Sequence, residues 1–441
     1  MENKRDMLNS EKAGLSNGLG YSRLKEFFDE GIFTEINAFV KCGKGYAEVV
    51  AGFGKANGCD VLAFAQNDGK NKGAFSKAHA DKIKKVFDMA VKVGLPVVGF
   101  YDSIGARVDE GFDMLSAYGE ILNKMSNISG VVPMISVILG PCLGTSSILA
   151  ESADFVIMSK KGTLAMEVDG SSSGTAEDAM KQGICHIIAN DDKKAIEKAK
   201  DLISILPMNN LSPAEMGEIE ISDFSEKDII GSVFDKGSFI EIQKEYGKEI
   251  TVGFSALNGE TVGVVKTNGG IIDYEASEKA SRFIRFCDAF SLPVITFADS
   301  DGFKSVKSAA KLSGVYAEAT TIKLTVITGK AYGSFYVAVA GDGANSDVTM
   351  AWVDSSICAL VPKTAVAVMW TDKLNKTTLS NRDKLIEEFK TQEATAYNAA
   401  VKGYVQDVIN PEDTREKLIS AMSLMAGKRV TGLSKKHNNF I

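Results

Sequence analysis

The chain has 441 residues, room for two or three domains at about 150 residues each. Apolar residues make up 45% and charged residues 24%, a globular balance, and the net charge of −7 disfavours nucleic acid as a partner. Glycine is abundant at 41 and proline scarce at 8, which points to tight turns and close backbone approaches and away from flexible linkers.

The opening segment MENKRDMLNSEKAGLSNG is polar and has no signal-type apolar core. No later stretch reaches the roughly 18–20 apolar residues that span a bilayer. A cytoplasmic protein that does not itself enter a membrane is expected. After a short acidic helix and strand, Ala56-Asn57-Gly58 reads as the turn of a β-hairpin, because Asn-Gly accepts the left-handed backbone such turns need. A helix follows, with Ile83, Val86, Phe87 and Ala90 on one face and Gly94 placed as its left-handed cap. The apolar run 97–101 then ends at Asp102-Ser103. A second apolar run, 132–139, ends in Gly140-Pro141-Cys142-Leu143-Gly144-Thr145. Short apolar strands alternating with helices predict parallel βαβ units covered on both faces, with the turns 103–107 and 140–146 at one carboxyl edge.

The chain then repeats itself. FDEGIFTEI from Phe28 and FDKGSFIEI from Phe234 agree at six of nine positions, at an offset of 206. The Gly-Phe…Asn-Gly pattern recurs at an offset of 201, the helix-strand-turn segment ending at Gly105 or Gly302 at 197, and VILGPCLGTSS or VITGKAYGSFY at 189. Four collinear matches define two copies of one domain, roughly 20–210 and 225–420, joined by a polar connector at 206–228. In the second copy the paired turns fall at 300–304 and 329–335.

A glycine turn feeding a helix presents free backbone N–H groups, which can bind phosphate or stabilise an oxyanion. Neither GxGxxG nor GxxxxGK[ST] occurs at these turns, so a P-loop is excluded at Gly329-Lys330. The alternatives are glycines that serve packing alone, or two N–H donors from neighbouring turns converging on one thioester carbonyl. In the first copy those donors would come from Gly105-Ala106 and Gly144-Thr145, and in the second from Gly302-Phe303 and Gly333-Ser334-Phe335. With three histidines and no paired Cys or His spacing, neither a metal site nor a His-based triad is expected. The six scattered cysteines read as reduced thiols.

The stretches RLKEFFDEGIFTEINAFV, HADKIKKVFDMAVKVGLPVVGFYDSIGARVDEG, ISGVVPMISVILGPCLG, EASEKASRFIRFCDAFSLPVITFADSDGF, YAEATTIKLTVITGKAYG and DVINPEDTREKL, with a terminal SKKHNN, resemble biotin-dependent acyl-CoA carboxyltransferases. These are the beta-subunit type of propionyl-CoA and acetyl-CoA carboxylase, transcarboxylase and the sodium-pumping decarboxylases. The resemblance implies an α/β fold of two tandem crotonase-like (ββα superhelix) domains. Residues 1–215 would form the acyl-CoA side and 216–441 the biotin side, and the site would lie between the first half of one subunit and the second half of another. It implies carboxyl transfer between biotin and the α carbon of an acyl-CoA, through enolates held in the two holes. Biotin itself would act as the base, so no His or Glu base is required.

Gly105, Ala106, Gly144, Thr145, Gly333, Ser334 and Phe335 become the candidate catalytic residues. Arg107, Gly73, Gly302, Phe303 and Tyr332 become candidate binding residues for CoA or biotin, and no metal is implied. The chain has no lysine in an Ala-Met-Lys-Met context, so biotin would arrive on a separate carrier protein. A biotin carboxylase or a membrane decarboxylase subunit is the further partner implied, in a homo-oligomer, hexamer or dimer. Against the family pattern the helical arm before Arg23 is replaced by a short polar leader, the glycine-rich turns are altered at Thr145, Ser334 and Phe335, and the loop at 304–309 and the segment 167–182 are shortened. Phe335 would bring bulk toward the biotin slot. Two other readings stay open: a catalytically weakened scaffold of such a complex, and a crotonase-like acyl-CoA hydrolase or isomerase. Arg107 reads either as a ligand of a CoA phosphate or carboxylate or as an ion-pair residue, His79 as a capping or surface residue, His186 as a structural histidine, and the lysines at 82, 84, 85, 193, 194 and 198 as solvated helix faces, with CoA phosphates as their functional alternative.

Overall fold

The computed structural model describes residues 3–430, apart from 17, 44, 67, 68, 70, 168–173, 215, 342, 344 and 345. The SKKHNN motif with His437, and the middle of the 167–182 segment, lie outside the described residues. The chain divides into two compact units, Met1–Glu215 and Met216–Ile441.

The main sheet of the first unit is built from β1 (Phe33–Glu35), β2 (Val49–Ala56), β3 (Cys59–Gln66), β4 (Val97–Ser103), β5 (Met134–Leu143), β6 (Phe155–Ser159), β7 (Thr163–Ala165) and β8 (Ile187–Ala189). They form one sheet in the order β1-β2-β3-β4-β5-β6-β8, with β7 on the end of β5. β1, β2 and β3 are antiparallel, and every later pairing is parallel. The second unit has β9 (Ile240–Ile242), β10 (Ile250–Leu257), β11 (Glu260–Thr267), β12 (Val294–Ser300), β13 (Lys323–Tyr332), β14 (Val348–Trp352), β15 (Ser356–Cys358) and β16 (Asp407–Ile409). Their order, β9-β10-β11-β12-β13-β14-β16 with β15 on β13, matches strand for strand. The internal repeat is therefore a repeat of topology.

Central strands are buried almost without interruption, as in β4, where six of seven residues are buried. Such continuous burial requires cover on both faces of the sheet. Phe64, Val86, Phe87, Tyr101, Tyr118 and Ile138 belong to the core of the first unit, and Val264, Ile295, Phe297, Val326 and Leu418 to that of the second. A separate small core of Ala365, Val366, Leu385 and Phe389 lies under the helices Pro362–Met369 and Arg382–Gln392.

Local sequence explains the recurring geometry. Asn57 and Gly58 have φ of 47° and 81°, and Asn258 and Gly259 have 54° and 83°, the left-handed pair that a tight hairpin needs. In each unit the aspartate of the Phe-Asp-x-Gly motif caps this turn. Asp29 accepts the Asn57 and Gly58 N–H groups at 3.0 and 2.8 Å, and Asp235 accepts those of Asn258 and Gly259 at 3.2 and 2.7 Å. Helix α3 (Lys77–Val93) starts on a capping box: Ser76 Oγ accepts the His79 N–H, and His79 Nδ1 accepts the Ser76 N–H. It ends at Gly94, with φ of 67°.

Three expectations need correction. The polar leader is helical over α1 (Lys4–Leu15) and α2 (Leu19–Phe27); α1 buries nothing, but α2 buries Arg23, Leu24 and Phe27. The shortened stretch 304–309 is the start of the helix Val306–Glu318, capped by the Ser305 hydroxyl. Lys82 is not on a solvated face: its side chain is 2% exposed and its Nζ lies 3.4 Å from Glu35. That partner is 47 residues distant in the chain, so helical periodicity alone does not reveal it.

Candidate active site

The first turn is built where β4 leaves the sheet. Its pairing with β5 slips from Tyr101↔Ile138 to Ser103↔Cys142, so the longer side bulges at Gly140. The buried Ser103 Oγ then closes a small loop, accepting the Gly105 N–H at 3.2 Å and donating to the Gly105 carbonyl at 3.2 Å. Gly105 has φ of +110°, a conformation closed to residues with a Cβ. Its carbonyl accepts the Phe75 N–H (2.7 Å), and the Arg107 N–H donates to the Phe75 carbonyl (2.9 Å). Both neighbours of Ala106 are thus pinned, while Ala106 is an exposed residue whose N–H has no acceptor among the described residues. Of the Gly105-Ala106 pair, Ala106 supplies the available donor.

The second turn follows β5. Gly144 takes φ 63° and ψ −139° and donates its N–H to the Ala165 carbonyl at 2.9 Å, so β7 fixes it. The available donor is the next one, Thr145, the first residue of the helix Thr145–Glu151 and without an intrahelical acceptor. The two turns are neighbours, since a Cβ on Gly105 would stand 3.5 Å from the Leu143 carbonyl oxygen.

The second unit repeats the construction with other side chains. Pairing of β12 with β13 slips from Ala298↔Ile327 to Ser300↔Ala331, with Gly329 in the bulge. Ser300 Oγ accepts the Gly302 N–H (3.0 Å) and meets the Gly302 carbonyl (3.2 Å); Gly302 has φ of +120°. The Lys304 N–H reaches the Ile272 carbonyl at 2.8 Å, as Arg107 reaches Phe75, which places Phe303 where Ala106 stands. Gly333, with φ of +48°, opens the helical turn Gly333–Phe335, and Ser334 is exposed at its start. Phe335 turns inward, fully buried, with its ring 6.1 Å from that of Phe303. The Tyr332 hydroxyl donates to Ser356 Oγ at 3.0 Å, so its polar end is used within the fold.

A cavity of about 530 Å³ opens beside this turn. Gly333, Ser334 and Val337 form one wall, Met369 and Phe389 an apolar one, and Glu393, Asn398 and Lys402 bring polar groups. Phe335 does not line it.

The remaining candidates make contacts within their own unit. Arg107 holds Asp109 through Nε (3.0 Å) and Nη2, and donates from Nη1 to Cys42 Sγ at 2.9 Å. Its hydrogen bonding to the Asp109 carboxylate is the chief reason its basicity is raised. The Gly73 N–H donates to Glu48 Oε2 at 3.3 Å, ordering its loop. His186 Nδ1 accepts the Val156 N–H at 3.0 Å. Burial, with the Lys82 charge nearby, pushes His79 down to about 3, so it stays neutral in its cap. Among the described residues no group of His, Cys, Asp and Glu side chains could hold a metal, and no disulfide links the cysteines. No helix among the described residues is long and apolar enough to cross a membrane.

Two sheets of identical strand order, each presenting backbone donors at paired glycine turns, are the features of a tandem crotonase-like carboxyltransferase. Residues 18–440 match the carboxyl transferase domain family, and the chain belongs to that family. It is 35% identical to the propionyl-CoA carboxylase carboxyltransferase subunit of Haloferax mediterranei, over 95% of this chain and 92% of that one. It is 36% identical to the methylmalonyl-CoA decarboxylase subunit alpha of Veillonella parvula, with the same coverage. A crystal structure of transcarboxylase 12S, a hexamer with methylmalonyl-coenzyme A and methylmalonic acid bound, superposes with a TM-score of 0.92 at 31% identity, covering 100% of this chain and 99% of that one.

Proposed function

We propose that this chain is the carboxyltransferase subunit of a biotin-dependent acyl-CoA carboxylase or decarboxylase. In this reading the Met1–Glu215 unit takes the acyl-CoA and the Met216–Ile441 unit takes biotin. The observation that carries it is the doubled construction of the turns: a Ser-braced glycine loop beside a glycine-started helical turn, once in each unit.

On the acyl-CoA side the Ala106 and Thr145 N–H groups point from rigid, hydrogen-bonded turns. Donors of this kind stabilise the negative charge on a thioester oxygen as its α carbon becomes nucleophilic. Because both are backbone groups, the Ala and Thr side chains leave the chemistry unchanged and only shape access to it. On the other side the cavity at Gly333 and Ser334 suits a small bicyclic ring with a polar urea edge. Its apolar wall would take the ring, and the N–H groups of the Gly333–Phe335 turn would face the oxygen. Bound biotin supplies the carboxyl group or accepts it, and supplies the basic nitrogen. The inward turn of Phe335 keeps its ring out of the cavity, which supports a working site over a scaffold.

Biotin would arrive on a separate carrier protein. We further propose a cytoplasmic homo-oligomer, a hexamer or a dimer, in which the first unit of one copy faces the second unit of another, with a biotin carboxylase or membrane decarboxylase subunit as the remaining partner. The exposed Val108, Phe112 and Leu115 beside the first turn, and Val337, Met369 and Val401 around the cavity of the second unit, are apolar surface of the kind a partner covers. The test is carboxyl transfer from methylmalonyl-, malonyl- or glutaconyl-CoA to a biotinylated carrier protein by the purified chain. Transfer with one of them is expected. A stable oligomer that binds the carrier but transfers nothing would return the scaffold reading.

A further inference from the structure

The carboxylate that precedes each turn occupies the same place in both units but is held differently. Asp102 lies across from the bulge glycine Gly140, and Asp299 across from Gly329; a Cβ on either glycine would collide with the carboxylate. The Asp102 N–H donates to Gln66 Oε1 (2.9 Å), and the Asp299 N–H to Thr267 Oγ1 (2.7 Å). In the second unit Asp299 Oδ1 also accepts the Lys330 N–H at 2.9 Å, so the bulge is tied to the strand by its own backbone. The matching residue in the first unit is Pro141, which has no N–H to give. There the carboxylate is taken by Arg23 of helix α2, Nη2 to Oδ2 at 2.7 Å, with the arginine side chain 6% exposed.

This pair is a poor source of stability. Arg23 Nη1 and Gln66 Nε2 are both buried with no hydrogen-bond partner among the described residues. A buried ion pair that leaves donors unmet is commonly matched or exceeded by apolar packing. Its value lies in its position, one residue ahead of Ser103 and against the bulge that leads to Gly144.

We propose that Arg23 is a positioning residue for the acyl-CoA side. It holds Asp102 in the hollow at Gly140, and so holds the Ala106 and Thr145 donors at their mutual spacing, the task that the Lys330 N–H performs on the other side. Arg23 touches no substrate and acts through Asp102. This inference rests on the function proposed above.

The test compares wild type, Arg23→Met, Arg23→Lys and the double variant Arg23→Met/Asp102→Asn, which removes the lone buried charge and guards against misfolding. Transfer from methylmalonyl-CoA to the biotinylated carrier is measured together with amide hydrogen exchange of segments 103–107 and 300–304. In Arg23→Met and in the double variant, kcat should fall about 100-fold, the effect of misplacing reacting groups by about 1 Å. KM for the thioester should stay unchanged, and Arg23→Lys should restore most of the rate. Exchange should accelerate at 103–107 and not at 300–304. Wild-type kcat in the double variant, or equal acceleration of both segments, overturns the inference. If wild type transfers nothing, the proposed function fails, and the exchange comparison still decides whether Arg23 holds the turn.

Discussion

The two units share their backbone and differ in what surrounds it. Strand order, the slipped pairing, the serine that braces the glycine loop and the aspartate that caps the hairpin recur in both. Ala106 is matched by Phe303, Pro141 by Lys330, Thr145 by Ser334 and Ser146 by Phe335. The helices Pro362–Met369 and Arg382–Gln392, with their own small core, belong to the second unit, where they wall the cavity at Gly333. Features written in backbone geometry survive divergence because glycine in a left-handed turn has no cheap substitute. The lining side chains are free to change, so one scaffold can present the same donors to two different molecules.

The comparison can be broken most severely at Gly144. Its φ and ψ lie in a region reserved for glycine, although a Cβ there would meet only the Met166 carbonyl, at 4.0 Å. Gly144→Val should leave the protein folded and reduce carboxyl transfer by about 100- to 1,000-fold, the cost of a lost oxyanion donor. Steady-state transfer kinetics with circular dichroism of the same sample checks this.

A second contrast lies in the hairpin caps. Asp235 is 2% exposed and carries Arg415 as well as two amides, whereas Asp29 is 36% exposed with Lys200 3.5 Å away. Asp235→Ala leaves a buried cation unpaired and should cost about 3–5 kcal/mol. Asp29→Ala, at the surface, should cost about 1 kcal/mol. Urea titration of both variants measures the difference, and equal losses would mean that burial does not separate the two copies.

The units should also differ in acid. His79 has a folded-state value near 3 against 6.5 when unfolded, chiefly because it is buried, and Ala276 stands at the matching helix position. The unfolded state therefore binds the extra proton, so this contribution is complete above pH 6.5 and is lost as pH falls toward 3. The slope is about 1.4 kcal/mol per pH unit. Both units bury the matching lysine, Lys82 and Lys279; Lys279 is lowered to about 8 mainly by burial, and its effect is confined to the interval between pH 10.5 and 8. His79→Gln should flatten the acid limb of unfolding free energy against pH. An unchanged limb would show that His79 is already charged in the fold.

Much of this was legible in the sequence. The repeat offsets, the Asn-Gly turns, the Gly94 cap and the glycine turns at the strand ends are local signals, and each corresponds to a local backbone requirement. What was not legible depends on partners distant in the chain. The burial of Lys82 depends on Glu35, and the setting of Asp102 depends on Arg23, far ahead of it in the chain. Which N–H of each glycine pair is available is decided by acceptors outside the pair: Ser103 takes that of Gly105 and Ala165 takes that of Gly144, leaving Ala106 and Thr145. Proline at 141 was a visible hint, since a residue without an N–H forces its neighbour to find another donor.

The central claim is that each unit serves one reacting partner, and the most direct test separates the two. Release of CO₂ from carboxylated carrier protein, with no acyl-CoA present, is measured for wild type, Gly144→Val and Gly333→Val. The account predicts release at the wild-type rate from Gly144→Val, which has lost only the acyl-CoA side, and little from Gly333→Val. Equal release from both variants, or loss in Gly144→Val alone, would contradict it.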